Sequence, residues 1–319
     1  MMPGKVVLLG GGGFVGSCLA SRLSGRGFEV TVPTRRRDSR KALTMLPGVR
    51  VVVANIHDPL DLEDLVRGAD AVINLVGILH DGDGAQPYGR RFAAAHVELP
   101  RKIVAAMKPA GVRRLLHMSA LKAASDAPSA YLRSKAAGEA VVMGAAGEID
   151  VTIFRPSVIF GPDDIFLNTF ASLLEAFPVL PIAGGKARFQ PVYVGDVAEA
   201  FVSALSDRST VGKIYELCGP KVYTLKELVE YTGRLTGHPR TVIDLPDPLA
   251  RLQACLLGLL PNPPMSPDNL RSMQVDNVTD GRLDFPGWQP QPLEAVAPTY
   301  LTHLSTRSRL DELRRRTSR

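Results

Sequence analysis

The chain has 319 residues, 45% of them hydrophobic, 22% charged and 6% aromatic, a balance that excludes a disordered or fibrous protein and suits layered α/β packing better than a β-sandwich. Its formal charge of +6 is uneven: residues 307–319 hold six Arg against Asp311 and Glu312, a net +4, which leaves +2 for the other 306 residues and excludes a basic nucleic-acid-binding body. The first residues lack the form of a signal peptide, and no apolar run, Ala254–Leu260 included, approaches the ~20 residues of a membrane span, so a soluble, cytoplasmic protein is expected. Cys18, Cys218 and Cys255 form no close pair and no metal-like spacing. They read as small buried thiols, with neither a disulfide framework nor a metal site. The tail reads either as a solvated terminus or as an electrostatic contact to a partner or to the surface of an anionic membrane.

In chain order, the first half alternates short apolar runs with helical stretches. Strands are predicted at Lys5–Gly10, Glu29–Pro33, Val49–Ala54, Asp70–Val76, Arg114–Ser119 and Val151–Arg155, and helices at Phe14–Leu23, Asp61–Val66, Arg91–Met107 and Tyr131–Met143. Continuous β-branched runs such as Val51-Val52-Val53 mark strands covered on both faces, and strand taking turns with helix is the signature of a doubly wound parallel sheet. Beyond Pro156 the regularity fades. Prolines and glycines crowd Gly161–Gly185, a strand and a helix return over Pro191–Leu205, and Ile214–Leu217 reads as one more strand. Thr224-Leu-Lys-Glu227 has capping-box spacing, while Asp244–Pro267, rich in Pro and Leu, reads as irregular. The expected organisation is a main α/β domain over 1–155 rejoined by 190–220, a smaller irregular lobe from 156–189 and 221–305, and a basic tail over 306–319.

Gly10-Gly-Gly-Gly-Phe-Val-Gly16 lies between the first strand and the first helix. Positions without a Cβ permit a tight turn and let the backbone approach a pyrophosphate, which a helix N-terminus favours electrostatically. The run fits two registers, Gly11-x-Gly13-x-x-Gly16 and Gly10-x-x-Gly13-x-x-Gly16, and its placement makes it a Rossmann-type dinucleotide site. After the second strand, where an acidic residue would bond the ribose 2′-hydroxyl of NAD, the chain has Thr34 and then Arg35 and Arg36. A guanidinium matches a 2′-phosphate in charge and fork geometry, so Arg35 points to NADP(H) in preference to NAD(H), with Arg37 and Arg40 as exposed loop.

Tyr131-Leu-Arg-Ser-Lys135 places a phenol and an ammonium at i and i+4, on one helix face. A free phenol titrates near ~10, and a neighbouring cation favours the phenolate and brings it towards the range of an acid–base catalyst. Ser119 ends the preceding strand, at the edge where parallel sheets hold their active sites, with a hydroxyl able to bond a substrate carbonyl.

On these motifs, with Asn74-Leu-Val-Gly77, Arg155-Pro-Ser-Val-Ile-Phe-Gly-Pro162 and Gln190-Pro-Val-Tyr-Val-Gly-Asp196, the chain resembles an extended or atypical short-chain dehydrogenase/reductase from the glycine loop to about Val229. Tyr131-Leu-Arg-Ser-Lys-Ala-Ala-Gly-Glu139 and Phe166-Leu-Asn-Thr-Phe170 are similar to the branch holding the NADPH-binding accessory subunit of respiratory complex I. The resemblance implies that Gly10, Gly13 and Gly16, with Phe14 and Val15 opening the helix, hold the pyrophosphate. It places Arg35 on the 2′-phosphate, Asn55 and Ile56 at adenine, Leu75 and Val76 on the cofactor, Lys135 on the nicotinamide ribose, and Pro156 and Val158 near the nicotinamide. Tyr131 is then the general acid–base and Ser119 its helper, and the smaller lobe carries the substrate. Two positions depart from the pattern: Asn55 replaces an Asp, and His96 stands where relatives have a helix Asn in the proton relay. His96 reads as a relay member or as a plain helix residue. Two functions follow. One is an NADP(H)-dependent oxidoreductase or epimerase acting on a small carbonyl or alcohol. The other is an accessory or assembly protein holding NADPH, linked to respiratory complex I or quinone metabolism.

Overall fold

The computed structural model describes residues 4–35, 41–81, 86–260, 263–281 and 283–302. Arg36, Arg37, Arg40 and the basic tail lie outside the described residues. The elements used below are, in chain order, β1 (Lys5–Leu9), α1 (Phe14–Gly25), β2 (Glu29–Thr34), β3 (Val49–Val53), α2 (Pro59–Val66), β4 (Ala71–Asn74), α3 (Leu99–Met107), β5 (Arg114–Met118), α4 (Ala130–Met143), β6 (Asp150–Pro156), α5 (Phe166–Ala176), α6 (Val194–Ser206), β7 (Lys213–Leu217), α7 (Leu225–Thr236), α8 (Asp247–Leu257) and α9 (Leu293–Val296).

Seven strands form one parallel sheet in the order β7-β6-β5-β4-β1-β2-β3. This is the Rossmann-type sheet that the alternation of strand and helix implies. Val6, Val7, Leu8 and Leu9 of β1 and all four residues of β4 are buried, as strands covered on both faces require. One core on this sheet joins Leu62 and Val66 of α2 and Leu99, Ile103 and Met107 of α3 to Val7, Leu9, Leu115, Val151 and Ile153 of the strands. Strand order changes direction between β1 and β4. The carboxyl ends of those strands are where a doubly wound sheet opens its ligand crevice.

The chain divides into two compact units. The first comprises residues 1–156, 194–217 and 280–288, and the second 157–193, 218–279 and 289–319. Residues 280–288, expected in the smaller lobe, group with the sheet: the Glu216 amide donates to Leu283 O at 2.7 Å, and Phe285 packs against Phe154 and Tyr215. Inside the second unit, Phe160, Leu167, Tyr223, Leu228, Leu293 and Leu301 build one core, and Leu174, Leu180, Leu225, Val229 and Val242 a second.

Four expectations need correction. The stretch crowded by proline and glycine contains the eleven-residue helix α5, because Asp164 accepts from the Leu167 amide at 2.6 Å and stops the irregular chain there. Asp244–Pro267 is not irregular throughout, since the eleven-residue α8 lies within it, with a proline in its first turn where a missing N–H costs nothing. The helix expected over Arg91–Met107 is interrupted by a π-helical turn, Ala93–Glu98, before α3 begins. Of the three thiols, Cys218 is buried, Cys18 half-buried and Cys255 exposed. Among the described residues, no helix is long and apolar enough to cross a membrane, and no cluster of His, Cys, Asp or Glu is arranged to hold a metal ion.

Candidate active site

The glycine loop joins β1 to α1, and the backbone separates its two registers. Gly10 has φ of +81°, where L side chains are strained, and any Cβ on Gly16 would run into the Gly10 carbonyl oxygen. Those two glycines, with Gly13 three residues from each, match Gly10-x-x-Gly13-x-x-Gly16. Gly11 is needed for another reason, because a Cβ there would lie 2.8 Å from Val32 Cγ1. Gly13 is the N-cap of α1 and brings no capping side chain, and the first turn has no acid. The helix thus begins at Phe14 and Val15 with amide donors that no side chain covers, a cradle for an anion. Leu75 and Val76 follow β4 directly. The Leu75 amide donates to Leu9 O at 2.9 Å, and a Cβ on Gly10 would lie 3.1 Å from the Leu75 carbonyl carbon, so Leu75 borders the glycine loop.

At the end of β2, Arg35 is exposed, and no carboxylate among the described residues pairs with it. Beyond β3, Asn55 Oδ1 accepts from the His57 amide at 3.1 Å and the Asn55 amide donates to Asp61 at 2.6 Å, so Asn55 shapes a turn before the N-cap Asp58. Ile56 packs partly into the sheet core. Lys102 Nζ donates to His57 O at 2.7 Å. Burial, and then the charges of Lys102 and Arg35, hold the His57 imidazole below its usual range. Arg35, His57 and Lys102 therefore make a basic corner, of which only Arg35 was legible in the sequence.

The chemistry-bearing cluster lies at the carboxyl ends of β4 and β5. Ser119 follows β5, is buried, and its Oγ has no hydrogen-bond partner among the described residues. An unsatisfied buried hydroxyl costs about 1–3 kcal/mol, which a ligand oxygen would recover. Lys135 is also buried, and its Nζ donates at 3.2 Å to Met118 O, the carbonyl immediately before Ser119. Burial depresses its ammonium to about 8, partly opposed by Glu139 one turn further along α4. Glu139 is bound in a fork by Arg155 of β6 at 2.7 and 2.5 Å. Gly77 closes the other side: a Cβ there would lie 3.0 Å from Lys135 Nζ and 3.7 Å from His96 Nε2.

His96 sits in the π-helical turn, buried and doubly bonded. Its Nε2 accepts from the Ile78 amide at 3.1 Å, so the ring proton belongs on Nδ1, 2.8 Å from Ser134 Oγ, which in turn donates to Tyr131 O at 2.7 Å. Burial, with Lys135 and His117 nearby, drives its pKa down to about 2. With both ring nitrogens engaged, His96 ties the Ile78 segment to Ser134 of α4. The Tyr131 ring meets His96 edge-on at 5.7 Å and Phe92 at 6.0 Å. Burial pushes the Tyr131 phenol up to about 12, and Lys135 does not lower it. That shift runs opposite to the one a neighbouring ammonium would produce, and Lys135 directs its Nζ at Met118 O.

Two further polar groups were given no role by the sequence reading. Asn74 Nδ2 lies 3.1 Å from His117 Nδ1 across β4 and β5, while Asn74 Oδ1 accepts from the Val76 amide at 3.1 Å and shapes the turn that carries Leu75 and Val76. Burial takes His117 down to about 3. The visible signal was a lone histidine inside an apolar strand. Pro156 closes β6, where its carbonyl accepts from the Leu121 amide at 2.9 Å. Val158 belongs to the second unit, where Asn277 Oδ1 accepts from its amide at 3.0 Å.

Comparison with known proteins agrees with this geometry. Residues 6–218 match the model of the NAD dependent epimerase/dehydratase family. The chain belongs to that family. This epimerase/dehydratase-family chain is 35% identical over 295 residues, 87% of its length and 72% of the relative's, to the mitochondrial NADH dehydrogenase [ubiquinone] 1 alpha subcomplex subunit 9 of Arabidopsis thaliana. The Mus musculus subunit of the same name is 34% identical, with 90% and 77% of the two chains covered. Among solved structures, Pal from Bacillus thuringiensis shares the fold with a TM-score of 0.72 at 16% identity, covering 94% of this chain and 98% of that one.

Proposed function

We propose that this family member binds NADP(H) in preference to NAD(H) and uses Ser119, Tyr131 and Lys135 to interconvert a small carbonyl and its alcohol. The observation that carries the reading is Ser119 Oγ: a buried hydroxyl left without a partner one residue beyond the carbonyl that holds Lys135 Nζ. Gly10, Gly13 and Gly16 suit a pyrophosphate because the φ of Gly10 and the close approach of Gly16 to the Gly10 carbonyl oxygen make a tight turn in front of the uncapped first amides of α1. Arg35, with the field of Lys102, suits the extra phosphate of NADP(H). The bound dinucleotide would supply or accept the hydride.

The protein's own groups divide the remaining work. Ser119 donates to the substrate oxygen and orients it. Tyr131, protonated at neutral pH, delivers its hydroxyl proton to that oxygen as negative charge develops, which makes reduction the direction served by the resting state. Lys135 remains largely charged below pH 8 and bonds the nicotinamide ribose. His96 holds the Ile78 segment and the first turn of α4 in place.

Fluorescence titration tests the cofactor reading. Arg35→Ala should weaken NADPH about tenfold to a hundredfold, the worth of a charge-assisted hydrogen bond, and leave NADH unchanged. Equal affinities of the unaltered protein for both cofactors would overturn it. A second reading, an NADPH-holding accessory or assembly protein linked to respiration, is favoured by the identity with the complex I subunits over most of the chain. Mass spectrometry of the ligand released from purified protein separates the two, since a structural ligand would stay bound through exchange against free NADPH.

A further inference from the structure

Lys135 is a buried ammonium among neutral neighbours. Its Nζ bonds the Met118 carbonyl at 3.2 Å, and Gly77 on its other side brings no side chain. From the π-helical turn and from β5 the groups beside it are His96 and His117, both held uncharged by burial. Tyr131, one turn earlier on α4, keeps its proton. Among the described residues the carboxylate that acts on Lys135 is Glu139, one turn further along the same helix face. Glu139 is itself buried, where a carboxylate is costly unless paired. The fork of Arg155 on β6 takes both its oxygens, at 2.7 and 2.5 Å. Glu216 of β7 stands in register with Arg155 and strengthens the hold on the guanidinium charge. Positive and negative groups therefore alternate from the cluster around Ser119 out to β7, as Lys135, Glu139, Arg155 and Glu216.

We infer that Glu139 is a positioning residue for the cofactor: clamped by Arg155, it is the counter-charge of the Lys135 ammonium and sets the pH above which NADPH binding weakens. The inference rests on the reading of Lys135 as the ligand of the nicotinamide ribose. An ammonium is a stronger donor to a ribose hydroxyl than a neutral amine, so losing the proton weakens that bond. Stability alone gives little reason for the ion pair, because apolar residues of similar volume commonly replace a buried pair without loss. The string grades the field that reaches Lys135. A carboxylate one turn away in a low-dielectric interior attracts the ammonium strongly, Arg155 cancels part of that attraction, and Glu216 cancels part of the pull of Arg155.

The test is fluorescence titration of the full chain with NADPH from about pH 7 to about pH 10, a window above the second ionisation of a phosphate ester near ~6. The unaltered protein should lose affinity from about pH 8 upwards, by up to about tenfold per pH unit, and Lys135→Met should bind weakly without that decline. Glu139→Gln removes the counter-charge and should move the onset of the decline down by about one pH unit. Arg155→Gln frees the carboxylate and should move the onset up. Each variant leaves a buried charge without its partner, so both should melt at a lower temperature. A merely structural pair would show that shared loss of stability and no opposed displacement of the onset. The double variant Glu139→Gln, Arg155→Gln carries neither charge of the pair and should keep the lower onset, which preserves the test where a single variant does not fold. An onset unmoved from the parent's in Glu139→Gln and in the double variant overturns the inference and leaves Lys135 on the ribose. A parent affinity that stays flat across the window overturns the ribose contact itself, and the inference with it.

Discussion

Tyr131 and Lys135 stand four residues apart on one helix face, yet they are prepared differently. The phenol is held at about 12 and the ammonium at about 8, in both cases chiefly by burial, which penalises whichever form is charged. Removing only the proton donor, Tyr131→Phe, should lower reductive turnover by roughly a hundredfold to ten-thousandfold, the usual worth of a positioned acid, with NADPH affinity nearly unchanged. Stopped-flow turnover alongside cofactor titration checks this, and near-normal rates would assign the proton to another group. Lys135→Ala should instead damage affinity and rate together. His96 serves differently, since its two hydrogen bonds go to Ile78 and Ser134, and its contribution is the placement of Tyr131.

At the scale of elements, the π-helical turn and α4 approach each other through Gly138. A Cβ at that position would collide with the His96 carbonyl oxygen, a main-chain atom that cannot swing away. Gly138→Ala should therefore destabilise the protein by at least about 2 kcal/mol in urea unfolding, although alanine is the better helix former. Gly25, at the end of α1, is the control. Nothing lies within 4 Å of a Cβ there, so Gly25→Ala should leave stability unchanged or raise it by up to about 1 kcal/mol. The same nine-residue motif thus carries Tyr131 and Lys135 for chemistry, Gly138 for close helix packing, and Glu139 to bind Arg155.

For the whole molecule, acid is the weak side. His96 and His117 are buried, with pKa values of about 2 and about 3 against an ordinary 6.5. Both are depressed, so the unfolded chain binds their protons first. Their stabilising contribution is complete above pH 6.5 and is lost as pH falls from there towards 3, at about 1.4 kcal/mol per unit for each ring. Between pH 7 and pH 5 the pair should remove about 4 kcal/mol from a total of roughly 5–15 kcal/mol. Urea titrations at the two pH values measure this, and His96→Gln should remove about half of the difference. Lys135 acts in the alkaline window: its folded value of about 8 lies below 10.5, so its penalty is present below pH 8 and fades as pH rises towards 10.5.

Much of this architecture was readable from local pattern. Period and β-branched runs determined the seven-stranded parallel sheet, because covering both faces demands continuous apolar strands. Glycines between strand and helix determined the tight turn from β1 into α1, since other residues are strained at the φ of Gly10 and collide at the packing of Gly16. The i,i+4 spacing determined which face of α4 carries Tyr131 and Lys135. Tertiary structure alone decided the rest, for reasons that do not lie in neighbouring residues. The choice of Gly10 over Gly11 in the fingerprint depends on main-chain atoms that the fold brings together. The protonated state of Tyr131 depends on burial and on where Lys135 Nζ finds an acceptor, 17 residues earlier at Met118. The hydrogen bonding of His96 depends on an amide 18 residues away and on a π-turn that helical periodicity does not register. The outward leucines of α8 lie in a stretch that reads in sequence as irregular. Only packing shows that alanines were buried in their place.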